Sequence, residues 1–183
     1  MKATGIVRRI DDLGRVVIPK EIRRTLKIRE GDPLEIYTDK EGEVVLKKFS
    51  PIGEMGAFAK EYAETLHQVS GHIIIITDRD GVIAVSGASK KDYFDKSLST
   101  ELERIMDENS VLFVKSENEL RTVPIVSDDA TRYTAQIISP ILSEGNVIGA
   151  VIMCSTESNA RMGDPEYKLV QAATSFFGKQ LEQ

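Results

Sequence analysis

The sequence has little cysteine and few aromatic residues. It contains one cysteine, Cys154, no tryptophan, 6 phenylalanines and 5 tyrosines. A single cysteine cannot form an intramolecular disulfide, and its position in the apolar stretch 147–154 is typical of a small buried hydrophobe. So few aromatic side chains also make haem or a tetrapyrrole unexpected. We therefore predict no cofactor and no cysteine-based redox or metal chemistry.

Long hydrophobic runs are absent as well. Apolar runs such as Ile73–Ile76 are far shorter than the roughly 20 residues that span a bilayer, and no apolar signal-peptide stretch stands at the N-terminus. Hydrophobic residues make up 41% and charged residues 29% of 183 residues, which is typical of one globular domain or two small ones. We expect a soluble cytoplasmic protein with no membrane partner.

Charge is distributed unevenly along the chain. Residues 1–50 hold 12 basic and 9 acidic residues, whereas residues 51–183 hold 12 basic and 20 acidic ones. A concentrated basic segment on a protein of net charge −5 indicates an anionic target. The basic residues of the first 29 positions are Lys2, Arg8, Arg9, Arg15, Lys20, Arg23, Arg24, Lys27 and Arg29.

The first 48 residues predict the element order ββαββ. Two β-rich runs flank the turn 11–14, Pro19 suits the first turn of a helix over 20–27, and strands are predicted at 34–37 and 43–46. A unit of this length buries too little surface to be stable alone and has neither disulfides nor metal ligands. We therefore expect two copies to build one shared β core, which also makes the basic surface two-fold symmetric.

The remaining sequence predicts a second domain. The segment 49–56 holds two glycines and a proline where the charge balance changes sign, so we place the linker within it, at 52–55. We thus expect domains at 1–51 and 56–183. The second reads α-ββ-α-β-ββ-α, an antiparallel sheet with its first and last helices side by side on one face. The middle helix and loops would cover the other face, where a small-molecule pocket would form.

One motif in the first domain resembles a known family. The segment LGRVVIP at residues 13–19, followed by Arg23 and Arg24, closely resembles the DNA-binding domain of the AbrB family of bacterial transition-state regulators. The resemblance covers residues 1–50. It implies an α+β chain that begins with a swapped-hairpin β-barrel formed by two chains. The barrel would bind double-stranded DNA and act in transcription as activator and repressor.

The resemblance also implies which residues contact DNA. Arg8, Arg15, Arg23 and Arg24 match the family's DNA-contacting arginines. Lys2, Arg9 and Lys20 are added from charge alone. A guanidinium is a planar fork of donors that grips phosphate or guanine in the major groove. If half of the eight arginines in a dimer neutralise phosphates, log K falls against log salt with a slope of about −3.6.

The second domain, over residues 56–178, resembles a GAF domain. The Asn-Lys…Phe…Asp-Glu pattern of cyclic-nucleotide-binding GAF domains is not found, so the small-molecule ligand stays unidentified. A domain without ligand would act purely in assembly, with the stripes 58–69 and 169–177 pairing between chains. Self-association of both domains predicts a dimer of dimers, a homotetramer.

Two other functions, those of an antitoxin and of an enzyme, are alternatives to that of a transcription regulator. An antitoxin of the MazE type shares the barrel and binds DNA and a toxin, but such antitoxins end in a largely disordered tail, whereas residues 56–183 are periodic. No Ser/His/Asp or Cys/His arrangement predicts catalytic residues, so we expect no enzyme. His67 and His72 lack companions at metal-ligand spacing, and Asp78 and Asp80 suit a hairpin turn, so we predict no metal site.

Overall fold

The computed structural model describes residues 5–117 and 121–181, and the chain divides into two compact units between Phe49 and Ser50. The segment 52–55, predicted as a linker, is placed in the second unit. Helix α2, Pro51–Glu54, covers most of it, because Ser50 Oγ accepts a hydrogen bond from the Gly53 amide at 3.0 Å and Ile52 is fully buried. The division thus falls slightly earlier than the expected end at residue 51.

The first unit contains one short helix and one regular hairpin. Helix α1, Lys20–Thr25, follows Pro19, and the chain leaves it through Lys27, which has a positive φ of 50°. Strands β1, Leu34–Thr38, and β2, Val44–Lys48, pair antiparallel. The helix and the second hairpin lie where the sequence predicts them.

The first predicted hairpin is present only as its turn. The Asp11 amide donates to the Arg15 carbonyl at 3.0 Å, but no strand is formed over residues 5–19, all of which the structure describes. The prediction of strands at 4–10 and 15–18 is therefore wrong for a single copy. A β-strand forms only when its backbone pairs with a neighbouring strand. The side chains of these two segments are also exposed: Val7 is 90% exposed and Val17 70%.

The first unit has almost no core of its own. Pro19 is the one buried residue of the range 5–49. Single exposed hydrophobes are ordinary on protein surfaces, but a unit in which no large hydrophobe of residues 5–49 is buried lacks the burial that would offset its chain entropy. Its exposed large hydrophobes are Ile6, Val7, Ile10, Leu13, Val16, Val17, Leu26, Ile36, Tyr37, Val44, Leu46 and Phe49.

The second unit is a five-stranded antiparallel sheet with helices on both faces. The strand order is β4-β3-β7-β6-β5. Its elements after α2 are α3 (Gly56–Ser70), β3 (Ile73–Asp78), β4 (Val82–Ser86), a 3-10 turn (Lys90–Asp92), α4 (Thr100–Asp107), β5 (Leu112–Val114), β6 (Ala135–Ser143), β7 (Asn146–Ser155) and α5 (Asp164–Gln180).

Two hydrophobic cores lie on opposite faces of this sheet. Ile74 and Ile76 point into the core beneath α3 and α5, and Ile75 points into the core beneath α4. This alternation explains the unbroken isoleucine run, because β3 lies between β4 and β7 and is buried on both faces. The predicted placement of a fully buried strand inside the sheet is correct.

Helices α3 and α5 of the second unit, which correspond to the first and last predicted helices, pack against each other. The ring centroids of Phe58 and Phe176 are 5.4 Å apart, as are those of Tyr62 and Phe177. The predicted side-by-side arrangement is therefore correct. The two apolar stripes that were considered for pairing between chains contact each other within one chain.

Candidate nucleic-acid interface

A tight turn places Arg15 at the end of the first hairpin. The Asp11 carboxylate oxygen Oδ1 accepts hydrogen bonds from the amides of Leu13 at 3.0 Å and Arg15 at 2.8 Å. The Gly14 amide donates to the Asp11 carbonyl at 3.0 Å, and Gly14 takes a φ of +77°, which glycine adopts without steric cost. The backbone position of Arg15 is thus determined by Asp11 and Gly14.

The side chain of Arg15 is held by the same carboxylate. Arg15 Nε donates to Asp11 Oδ2 at 2.8 Å, while the arginine side chain remains 69% exposed and the aspartate 35%. The Arg15 amide and then its guanidinium hold the pKa of Asp11 below its usual value. Because this bond uses Nε, the N–H groups on Nη1 and Nη2 keep the geometry needed for a phosphate or a guanine.

The other predicted contact residues are exposed around this turn. Arg8 and Arg9 precede the turn and Lys20 begins α1, while Arg23 and Arg24 occupy the last turn of that helix, where the helix dipole favours cations. Lys2 lies outside the described residues. The charges of these arginines are therefore accessible to an anionic ligand.

One nearby cation, that of Lys48, is committed to the fold instead. Lys48 Nζ donates to the Lys27 carbonyl at 2.8 Å and forms an ion pair with Asp32 at 3.3 Å. Asp32 Oδ2 also accepts the Arg29 amide at 2.8 Å. These bonds join the end of β2 to the loop after α1, so the charge count of this segment overstates the number of cations available to a ligand.

Sequence reasoning missed the role of Asp11. The signal was present, because the spacing Asp-x-x-Gly recurs at Asp39 and Gly42, where the Asp39 carboxylate accepts the amides of Glu41 at 3.0 Å and Glu43 at 2.8 Å. An aspartate in this turn serves the backbone in both hairpins. Only in the first does the residue four positions later carry a cation.

A buried network of hydrogen-bonded side chains lies on the α4 side of the second unit, where the sequence predicts a ligand pocket. The hydroxyls of Tyr93 and Tyr133 are 3.0 Å apart, and Tyr133 donates to Asp129 Oδ2 at 2.8 Å. Burial raises the pKa of both tyrosines. Burial alone would also raise the pKa of Asp129, but hydrogen bonds from Thr131, Ile125 and Tyr133 outweigh it and the net shift is downward. These side chains pack the space beneath α4.

An open groove of about 640 Å³ lies elsewhere on the second unit. Its walls include Ser139, Pro140 and Leu142 of β6 and Thr174 and Lys179 of α5. Lys179 is the one cation among the residues that line it.

The remaining candidates have structural explanations. His67 Nδ1 lies 2.7 Å from the His72 carbonyl, and the Asp78 carboxylate accepts the amides of Asp80 and Gly81 in the β3–β4 turn. Within residues 5–117 and 121–181, no cluster of three His, Cys, Asp or Glu could hold a metal. No helix in the same ranges has the length and apolar character of a membrane span.

Comparison with known proteins decides the family. The family model described as the C-terminal domain of stage V sporulation protein T, a transcription factor, matches residues 54–182. The whole chain is 55% identical to stage V sporulation protein T of Bacillus subtilis (strain 168), over 100% of both chains. The chain belongs to the stage V sporulation protein T family. It is therefore a homologue of a sporulation transcription factor.

Each half of this stage V sporulation protein T homologue has its own relatives. Over 51 residues it is 65% identical to the transition state regulatory protein AbrB of Bacillus subtilis (strain 168). This match covers 28% of this chain and 52% of AbrB. A solved GAF domain from an Acinetobacter phosphoenolpyruvate-protein phosphotransferase matches 69% of this chain and 81% of its own, with a TM-score of 0.55 at 8% identity. The AbrB-like and GAF-like expectations are thus confirmed.

The antitoxin alternative has less support. A family model for the antidote-toxin recognition protein MazE, a bacterial antitoxin, matches residues 7–53. The match ends where the stage V sporulation protein T model begins, and the following residues form a packed sheet with two cores. The second unit is therefore not the disordered tail that the antitoxin interpretation requires.

Proposed function

We propose that this stage V sporulation protein T homologue binds duplex DNA in the cytoplasm and activates some forespore genes while repressing others. Regulation would come from binding rather than from catalytic turnover. The observation that carries the proposal is the exposed arginine set around the first turn and α1, in a segment 65% identical to AbrB. Guanidinium groups at such positions can bind phosphate and read guanine.

The DNA-binding form is a dimer in which two first units share one β core. The exposed apolar side chains of residues 5–49 supply the surface that a second copy would bury, and the unpaired segments on both sides of the first turn supply edges for its strands. Association through the second unit then makes a dimer of dimers. Two barrels in one particle hold two DNA segments, and effective concentration raises the affinity.

The proposed DNA contacts are Arg8, Arg15, Arg23 and Arg24 of each copy, with Lys2, Arg9 and Lys20 adding charge. Of these, Arg15 is the most defined, because its backbone lies in a hydrogen-bonded turn and its side chain in an ion pair. Its two terminal nitrogens can approach a phosphate or a guanine end-on.

The second unit serves assembly or small-molecule sensing. The groove beside α5 supports sensing, and its single cation favours an anionic ligand. Assembly is supported by α3, where Phe58 and Val69 are exposed although the aromatic rings of α3 and α5 pack against each other within one chain. Sedimentation of the full chain and of the groove variant Lys179→Ala separates the two roles. An unchanged oligomeric state in Lys179→Ala would mean that the groove does not hold the assembly together, and a smaller particle would mean that it does.

The test of DNA binding compares Arg15→Ala with Arg104→Ala. Arg104 is a matched control, because it is 71% exposed and also belongs to an i,i+4 ion pair, but lies on α4. Fluorescence anisotropy with promoter duplexes should show roughly tenfold or greater weakening for Arg15→Ala and little change for Arg104→Ala. Wild-type affinity should fall with salt at a slope of about −3.6. Equal binding by the two variants would contradict the arginine assignment.

A further inference from the structure

We propose that Asp11 is a positioning residue for DNA binding, whose carboxylate holds Arg15 through Nε so that Nη1 and Nη2 meet the DNA end-on. The inference rests on the proposed function, because it assumes that Arg15 contacts DNA. It gives an acidic residue on a DNA-binding surface a favourable role.

The two oxygens of Asp11 do different work. Oδ1 accepts the amides of Leu13 and Arg15 and so maintains the turn. Oδ2 accepts Arg15 Nε at 2.8 Å and so maintains the side chain. Since the Arg15 side chain is 69% exposed and that of Asp11 35%, solvent screens the ion pair, which adds little to folding stability. Its effect is therefore on the conformation of the guanidinium rather than on the fold.

Holding Arg15 by Nε suits recognition of DNA. A guanine edge or a phosphate is gripped by the two terminal nitrogens of an arginine, and Nε points to the side of that fork. A free arginine samples many rotamers and loses them when it binds, whereas a held arginine has already lost them in the free protein. Asp11 thus lowers the entropic cost of the contact without occupying the donors that make it.

The chain contains its own comparison in the second hairpin. The Asp39 amide donates to the Glu43 carbonyl at 3.2 Å, as the Asp11 amide does to Arg15, and Gly42 has a φ of +85°. The backbone of the two turns is therefore alike. Glu43 stands where Arg15 stands in the first turn, so Asp39 supports a turn without positioning a cation.

Simple charge repulsion predicts the opposite result from positioning. A carboxylate near the phosphates repels them, so its neutralisation should tighten DNA binding and strengthen it most at low salt. If Asp11 acts by positioning Arg15, its neutralisation should weaken binding instead. The sign of the change therefore separates the two ideas.

The experiment compares Asp11→Asn with Asp39→Asn in the full chain, alone and with Arg15→Ala. Asparagine keeps Oδ1 as an acceptor for the turn amides and replaces Oδ2 with a donor that cannot hold Nε. We expect Asp11→Asn to weaken binding to a promoter duplex about three- to tenfold. Asp39→Asn should change it less than about twofold, and Asp11→Asn should add no loss when Arg15 is already alanine.

Several results would overturn the proposal. Asp11→Asn binding as tightly as Asp39→Asn, or more tightly, would show that repulsion dominates. An equal loss on the Arg15→Ala background would show that Asp11 acts through the turn alone. If Arg15→Ala itself binds like wild type, the proposed function fails in its arginine assignment, which is a different outcome.

A second measurement needs no variant that must fold. In the wild-type protein, the Nε–H resonance of Arg15 should be hydrogen-bonded and slow to exchange in nitrogen-15 NMR spectra, and should remain so when the promoter duplex is added. Persistence in the complex supports positioning. Rapid exchange of this proton on DNA binding would mean that the ion pair breaks, and the proposal would be wrong.

Discussion

Two helical glycines of the second unit should respond to alanine with opposite signs. A Cβ at Gly178 of α5 would lie 2.2 Å from the Leu142 carbonyl oxygen, at the end of β6. A Cβ at Gly56 of α3 would meet nothing closer than Ile83 Cγ2 at 3.9 Å. Neither glycine has a positive φ, so alanine strains neither backbone by itself.

The magnitudes follow from these distances. Alanine at a compatible position stabilises by about 0.4–1 kcal/mol, chiefly by restricting the unfolded chain. Gly56→Ala should show this gain. At Gly178 the helix or the strand must move by more than about 1 Å to reach ordinary contact, and forcing extra atoms into a packed region costs about 1–3 kcal/mol. Gly178→Ala should therefore destabilise the second unit by about 1–2 kcal/mol.

Cys154 supplies the assay, because it is the one cysteine of the sequence and is fully buried in β7. Burial raises the pKa of its thiol, so labelling in the native state requires opening of the second unit. The urea concentration at which half of Cys154 is labelled should be lower for Gly178→Ala and higher for Gly56→Ala than for the wild-type protein. A stabilising Gly178→Ala would refute the close approach of α5 to β6.

Further predictions concern assembly, the core and pH. Val17→Asp should abolish dimerisation in sedimentation experiments while Lys40→Asp does not, because Val17 belongs to the exposed apolar surface of the first unit. Phe177→Ala should cost the second unit about 3–5 kcal/mol in urea unfolding. The Gly163 amide, 2.7 Å from the Glu166 carboxylate, lowers that group's pKa. The stabilisation from the ionised Glu166 carboxylate is thus complete above the unfolded pKa of about 4.3 and is lost as pH falls through the folded pKa. Glu166→Gln should make the free energy of unfolding less dependent on pH in this range.

The second unit was largely predictable because its pattern matches its burial. The isoleucines of β3 alternate between two cores, and the Asp164-Pro165 pair begins α5 as its composition indicates. The first hairpin was not predictable for one copy. Its β-branched residues favour strands, but strands form only when another segment supplies hydrogen bonds and cover. Propensity is local, and pairing is not.

In the candidate site, too, some features follow from one contiguous segment of the sequence, whereas others depend on residues that are distant in sequence. The exposed arginines follow from the charge of the segment and from the resemblance of residues 13–19. Their separation from Lys48 does not, because the Lys48 ammonium bonds to Asp32 and to the Lys27 carbonyl, which are distant from it in sequence. Sequence alone shows a cation four positions after Asp11 and none after Asp39, but it does not show that the Asp11 carboxylate holds Arg15 by Nε.

The two-domain plan, the basic first segment, the α+β architecture and the family of the first half all follow from the amino-acid sequence. These depend on composition, short-range periodicity and one contiguous motif, which are properties of the chain before it folds. The folded structure was needed to show that residues 5–49 lack a core in one copy, that Ile52 belongs to the second unit, and that Asp11 divides its oxygens between turn and guanidinium. Those features depend on which atoms meet in space, and side-chain burial and bond direction exist only after packing.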